Sequence, residues 1–138
     1  MACRTENKEI GDHEYSVVQW SADKAMLMKF KLIKIFGPSL AMLATEDGGS
    51  DSESLSKGLH KLFENNSPED IVATMKECVL GVAMDGKRLT PSSYAESFSA
   101  DDIMDIYQIF IFVIKVNYGN LLKGQLAERF LAKMKENL

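Results

Sequence analysis

The chain has 138 residues, 46% of them hydrophobic and 26% charged, which is the length and composition of a single globular domain with one core. With 20 acidic residues against 16 basic ones, its formal net charge of −4 argues against a nucleic-acid duplex as the main ligand, because phosphate contacts need a dense basic face. Two cysteines are too few for a disulfide framework and are expected to be free thiols in a reducing compartment.

The N-terminal stretch is polar and lacks periodicity, so residues 1–13 are predicted to form a flexible tail. The same stretch contains no apolar signal region, and export by that route is not indicated. Residues 14–20, EYSVVQW, combine β-branched with aromatic side chains and predict a short strand.

A long helical pattern follows over residues 21–44, with Ser21 as a helix cap and Gly37-Pro38 as an interruption. Proline removes a helical hydrogen bond, so a kink or a restart is expected there, followed by a shorter helical piece at residues 39–44. The face expected to point to the core comprises Met26, Phe30, Ile33 and Leu32 to Phe36, with Lys29, Lys31 and Lys34 on the other side.

Two further helices are predicted after an acidic Gly/Ser loop at residues 45–52. Residues 53–65 place leucines and a phenylalanine at helical spacing. The helix at residues 68–80 has a strong start, because Ser67 can cap it and Pro68 occupies its first position.

Residues 82–89 predict a β-hairpin, because Asp85-Gly86 between two short extended runs is typical of a two-residue turn. Two strands alone are marginally stable. The hairpin is therefore expected to pair with the strand at residues 14–20 and form a three-stranded antiparallel sheet.

The most apolar segment is the predicted helix at residues 102–118, which begins after a capping box at Ser99 to Asp102. Its apolar run covers only about 14 residues and includes charges, too few for a membrane span of about 20. An amphipathic helix at residues 120–137 completes a mostly α (α+β) fold, a bundle of five or six helices around the apolar helix with one small sheet.

Few residues have the types and spacing that catalysis or metal binding needs. The possible metal ligands Cys3, His13, His60 and Cys78 show no short paired spacing. No nucleophile elbow or phosphate loop occurs. The carboxylate pairs Glu69-Asp70 and Asp101-Asp102 are explained by helix capping. The sequence thus predicts neither an enzyme nor a catalytic, cofactor or metal site.

The apolar helix can be interpreted in two ways, which can hold together. It can be a central core helix, or one face can be covered only by a partner protein. The candidate partner face is the stripe at positions i, i+3, i+4 and i+7, namely Tyr107, Phe110, Ile111 and Ile114. The candidate core face comprises Ile103, Ile106, Ile109, Val113 and Val116.

The order of segments over about residues 14–124 resembles the small tail assembly chaperones of tailed bacteriophages. The features that carry the resemblance are the short strand before a helix ending in KIFGPSLAMLA, the acidic Gly/Ser loop and the hairpin unit ECVLGVAMDGKRLT. The segment SYAESF and the end of the apolar helix, IKVNYGNLL, complete it.

This resemblance implies a non-enzymatic protein of the host cytoplasm that needs no cofactor. Such proteins keep the aggregation-prone tape measure protein soluble and help to recruit tail tube subunits; self-association is left open. One alternative is a structural subunit of the tail or baseplate that stays in the virion. Another is a small enzyme or ligand-binding domain whose apolar helix lines a pocket.

Overall fold

A computed structural model describes residues 3–36 and 66–119. Within these ranges the chain forms four strands, four α-helices and one short 3₁₀ turn. The strands are β1 (Thr5–Ile10), β2 (His13–Val18), β3 (Ala83–Met84) and β4 (Lys87–Arg88). The helices are α1 (Ala22–Phe36), α2 (Pro68–Val79), α3 (Pro91–Ser97) and α4 (Ile103–Tyr118), with the 3₁₀ turn at Ala100–Asp102.

The strands form one antiparallel sheet in the order β1-β2-β3-β4. The predicted hairpin is confirmed: Met84 pairs with Lys87 across the turn, and Asp85 and Gly86 have φ of 50° and 86°. Positive φ at both central residues is the geometry of a type I′ turn, which Asp-Gly favours. β3 pairs with β2 as expected, but the sheet has four strands instead of three.

The fourth strand corrects the prediction of a flexible tail at residues 1–13. Residues Thr5–Ile10 form β1, which pairs with β2 along its whole length. Only Ile10 of β1 is buried, so the strand carries no apolar alternation that a pattern search could detect. The turn held the missing signal, because Gly11-Asp12 is a two-residue hairpin pair and Gly11 has the positive φ of 61° that a type II′ turn needs.

Helix α4 is the centre of the core. It packs against β1 and β2 on the sheet and against α2. Every residue of α4 from Ile109 to Ile114 is buried, as are Val116 and Tyr118. The helix is therefore enclosed on all sides from Ile109 to Ile114, as this uniformly apolar stretch requires.

The buried face of α1 matches the predicted one at Leu32 and Phe36 but not at Met26 and Phe30. Met28, Leu32 and Phe36 point into the core, whereas Met26 and Phe30 are exposed. The helix has apolar side chains on two opposite faces, so its periodicity alone could not decide which face the rest of the chain covers. Contacts with α2 and the Phe36–Phe110 ring pair decide it.

The C-terminal end of α4 is fixed by hydrogen bonds to distant parts of the chain. Arg4 Nη2 and Gln19 Nε2 both donate to the carbonyl oxygen of Val116, at 3.2 and 3.1 Å. Asn117 accepts from the backbone N–H of Trp20 at 2.8 Å, and the hydroxyl of Tyr118 donates to Ala25 O at 2.8 Å. Arg4 and Gln19 thus satisfy a carbonyl of the last helical turn, which the helix cannot satisfy internally, while Asn117 and Tyr118 bind this end to Trp20 and Ala25.

Helix starts follow the predicted capping chemistry. The Ser67 side chain accepts from the Asp70 N–H at 3.1 Å, with Pro68 at the first position of α2. The Ser99 box forms as well, although it caps the 3₁₀ turn that leads into α4. A similar box at Thr90 begins α3, which the sequence predicted only as a connector.

The helix count within residues 3–36 and 66–119 is four, not five or six. The chain is mostly helical with a small antiparallel sheet, as predicted. The helices predicted at residues 39–44, 53–65 and 120–137, and the kink at Gly37-Pro38, lie outside the described residues.

Candidate partner-binding surface

Three of the four predicted partner residues lie in the core. Phe110, Ile111 and Ile114 are 1%, 3% and 1% exposed, and only Tyr107 is half-buried. The Phe110 ring lies 5.2 Å from the Phe36 ring, centroid to centroid, which joins α4 to α1. Their contact with a partner stays a prediction, and it would require a rearrangement that uncovers α4.

Exposed apolar side chains occur on α1 instead. Met26, Leu27 and Phe30 are 59%, 60% and 63% exposed, and they lie within two turns of the same helix. We call these three residues the α1 outer face. Single exposed apolar residues are ordinary, but three large ones grouped on one helix are typical of a surface that binds another polypeptide segment.

The lysines of α1 differ in what they contact. Lys31 forms an ion pair with Glu77 of α2, with Nζ 2.9 Å from Oε1, and Lys24 lies 5.3 Å from the centre of the Trp20 ring. Lys29 instead stands over the ring of Phe30, at 5.0 Å, and so borders the α1 outer face. Lys34 follows Phe30 by four residues, one helical turn along.

A cleft of about 540 Å³ lies beside β2 and β3, where Trp20, Lys24, Cys78 and Arg88 are among its lining residues. Of those four side chains, only the thiol of Cys78 could act as a strong nucleophile. Burial raises the pKa of its thiol to about 12, so the thiol stays protonated at neutral pH. The cleft therefore offers no activated nucleophile at Cys78.

His13 and Asp85 form an exposed pair with Nδ1 and Oδ2 2.5 Å apart. Asp85 also accepts from the backbone N–H of Glu14 at 2.9 Å, so the pair joins the β1-β2 hairpin to the β3-β4 turn. The hydrogen bond to Asp85 raises the pKa of His13 above its usual 6.5. The proximity of His13 and Asp85 is therefore explained by the joining of two turns and needs no catalytic role.

The carboxylate pairs also lie where capping predicts. Asp70 belongs to the first turn of α2, and Asp102 Oδ2 accepts from the Ser99 N–H at 2.9 Å. No group of three or more His, Cys, Asp or Glu side chains within residues 3–36 and 66–119 is placed to hold a metal ion. Across the part of the chain described, no helix is long and apolar enough to cross a membrane.

A comparison with protein families connects this architecture with a function. The family described as phage tail assembly chaperone protein, TAC, matches residues 11–128. The chain belongs to this family. The match covers most of the chain and confirms the resemblance that the order of segments indicated. Neither the curated proteins nor the solved structures contain a match.

Membership of the tail assembly chaperone family associates the protein with bacteriophage tail assembly and with interactions with tail proteins. For such a role the relevant geometry is an accessible surface rather than a pocket. The α1 outer face was missed at the sequence level because Met26 and Phe30 were assigned to the core. The extra signal was that α1 carries apolar residues on two opposite faces.

Proposed function

We propose that the protein is a non-enzymatic chaperone that binds the tape measure protein and assists assembly of the tail tube in the host cytoplasm. The family match over residues 11–128 is the observation that carries this proposal. Exposed apolar side chains on α1 support it, because a chaperone for an aggregation-prone chain needs apolar surface that its own core does not use.

The chemistry of the described residues supports a binding role over catalysis. The Cys78 thiol is buried and protonated, and the His13–Asp85 pair holds two β-turns together. A catalytic base needs a positioned substrate beside it, and His13 is exposed at the edge of a hairpin. Nothing in this arrangement calls for a cofactor.

Co-expression tests the proposal. The chain is produced together with the tape measure protein encoded in the same genome, and the soluble fraction of the tape measure protein is measured with and without it. We expect a clear increase in the soluble fraction. An unchanged fraction, with this chain itself folded, would contradict the proposal.

The composition of purified virions separates the chaperone from a structural subunit of the tail or baseplate. An assembly chaperone acts before the particle is complete and is released, so we expect the chain to be absent from virions by mass spectrometry. Stoichiometric retention in the tail would favour the structural subunit.

A further inference from the structure

The two apolar faces of α1 have different environments. Met28, Leu32 and Phe36 are buried at i, i+4 and i+8 and form the inner face. Met26 and Phe30, spaced i and i+4, lie nearly opposite them, with Leu27 beside. The α1 outer face is therefore a second stripe that the described core does not need.

Basic side chains border this stripe. Lys29 stands over Phe30, and Lys34 lies one turn beyond Phe30. Neither lysine forms an ion pair with a carboxylate of residues 3–36 or 66–119, whereas Lys31 does, on the side of α1 that meets α2. The stripe thus combines accessible apolar area with positive charge at its edges, although the whole chain has a net charge of −4.

We propose that the α1 outer face is the docking site for an amphipathic helix of the tape measure protein whose apolar stripe is flanked by Asp and Glu. This inference rests on the proposed function and adds the surface and the chemistry of the bound segment. Apolar residues of the incoming helix cover Met26, Leu27 and Phe30, while its carboxylates reach Lys29 and Lys34.

Charge and apolar content argue against three other occupants of the α1 outer face. A second copy bound through the same face would bring the same lysines together, which is repulsive. The chain's own residues 120–138 contain Lys123, Arg129, Lys133 and Lys135 against Glu128 and Glu136, so they are basic too. Residues 45–53 are acidic but contain no large apolar side chain to cover Phe30.

Site-specific photo-crosslinking tests the occupant directly. p-Benzoylphenylalanine replaces Phe30 in the full chain, which is co-expressed with the tape measure protein, irradiated and digested for mass spectrometry. We expect a cross-linked tape measure peptide with apolar residues at helical spacing and flanking carboxylates. A cross-link within the same chain or to a second copy would overturn the inference, as would a tape measure protein that co-purifies without any cross-link.

Affinity measurements provide a matched comparison. Phe30→Ser is expected to raise the Kd for the tape measure protein about tenfold or more, as for a central apolar contact. The control is Val72→Ser, because Val72 is 58% exposed on α2. It lies one turn before Lys76, which stands over the Tyr94 ring of α3, and we expect the Kd of this variant to stay within about twofold.

Unfolding and binding measurements on the same variant separate the docking surface from the proposed function. We expect Phe30→Ser to unfold at the same urea concentration as the unmodified chain. A large fall would show that the chain covers Phe30 itself and would overturn the docking surface. If Phe30→Ser and the unmodified chain bound the tape measure protein equally well, the docking surface would be wrong but the proposed function would stand. If the unmodified chain did not bind it at all, the proposed function would be contradicted.

Discussion

Tyr15 shows how burial affects a polar side chain at the residue scale. It is fully buried in β2, and its hydroxyl has no hydrogen-bond partner among residues 3–36 and 66–119. Burial raises the pKa of this hydroxyl to about 12. Tyr118 offers the opposite case, because its hydroxyl donates to Ala25 O. A buried polar group without a partner costs free energy, while a paired one contributes about 1 kcal/mol.

The two tyrosines therefore give opposite expectations on replacement by phenylalanine. Tyr15→Phe removes an unpaired hydroxyl, so we expect the free energy of unfolding to stay the same or rise by about 1 kcal/mol. Tyr118→Phe, the control, removes the hydrogen bond to Ala25 O and should lower the free energy of unfolding by about 1 kcal/mol. Urea unfolding measures both, and a large loss for Tyr15→Phe would contradict this explanation.

The His13–Asp85 pair predicts a dependence of stability on pH. Its hydrogen bond raises the pKa of His13 above 6.5, so the folded chain holds this proton more tightly than the unfolded chain. The contribution to stability is fully present below about pH 6.5, the usual pKa, and is lost as the pH rises through the pKa of the folded chain.

An NMR titration of the His13 ring checks this prediction. Asp85→Asn should bring the pKa of His13 back toward its usual value, and asparagine tolerates the positive φ of 50° at this position. The same pair lowers the pKa of Asp85, so its contribution is lost at acidic pH as the pH falls through that lowered pKa. An unchanged pKa of His13 in the variant would rule out this cause.

At the scale of elements, α4 and α1 differ in how the fold uses their apolar residues. From Ile109 to Tyr118 the chain itself buries α4 on both of the faces that the sequence separated, whereas Ile103, predicted for the core face, is 45% exposed. By contrast, α1 keeps one face exposed. The expected assignment of a partner face to α4 and a core face to α1 arose because both helices contain more apolar residues than a single face needs.

Replacement of Phe110 measures the core role of α4. Phe110→Ala should lower the free energy of unfolding by about 3–5 kcal/mol, because it removes a large buried ring and leaves a cavity beside Phe36. The control is Ile103→Ala on the exposed start of the same helix, with an expected change within about 0.5 kcal/mol. If urea unfolding showed only a small loss of stability for Phe110→Ala, a contact of Phe110 with a partner would be favoured instead.

At the scale of the whole molecule, the N-terminal strand is part of the folded unit. β1 pairs with β2 and contacts α4, and Arg4 fixes the end of that helix from more than 100 residues away in sequence. Ile10 is buried in the hydrophobic core. Contacts such as the Arg4–Val116 hydrogen bond, which join residues far apart in sequence, are the kind that local patterns do not reveal.

Deletion of residues 1–11 tests the role of this strand. A flexible tail could be removed without effect, but loss of β1 uncovers α4 and breaks the strand ladder with β2. We therefore expect a fall of several kcal/mol in the free energy of unfolding, measured by urea denaturation. The control removes only Met1 and Ala2, and that chain should unfold at the original urea concentration.

Local chemistry determined much of this protein. The Asp85-Gly86 turn and the Ser67 and Ser99 caps were predicted from the sequence, because each depends on neighbouring residues. The order of segments also pointed to the correct family. Tertiary structure alone decided which face of α1 is buried and that both faces of α4 from Ile109 onward belong to the core. These outcomes depend on which elements pack together, and two competing apolar faces carry no local signal of their partners. For β1 the only local signal was the Gly11-Asp12 turn, because a strand with one buried residue has no apolar alternation.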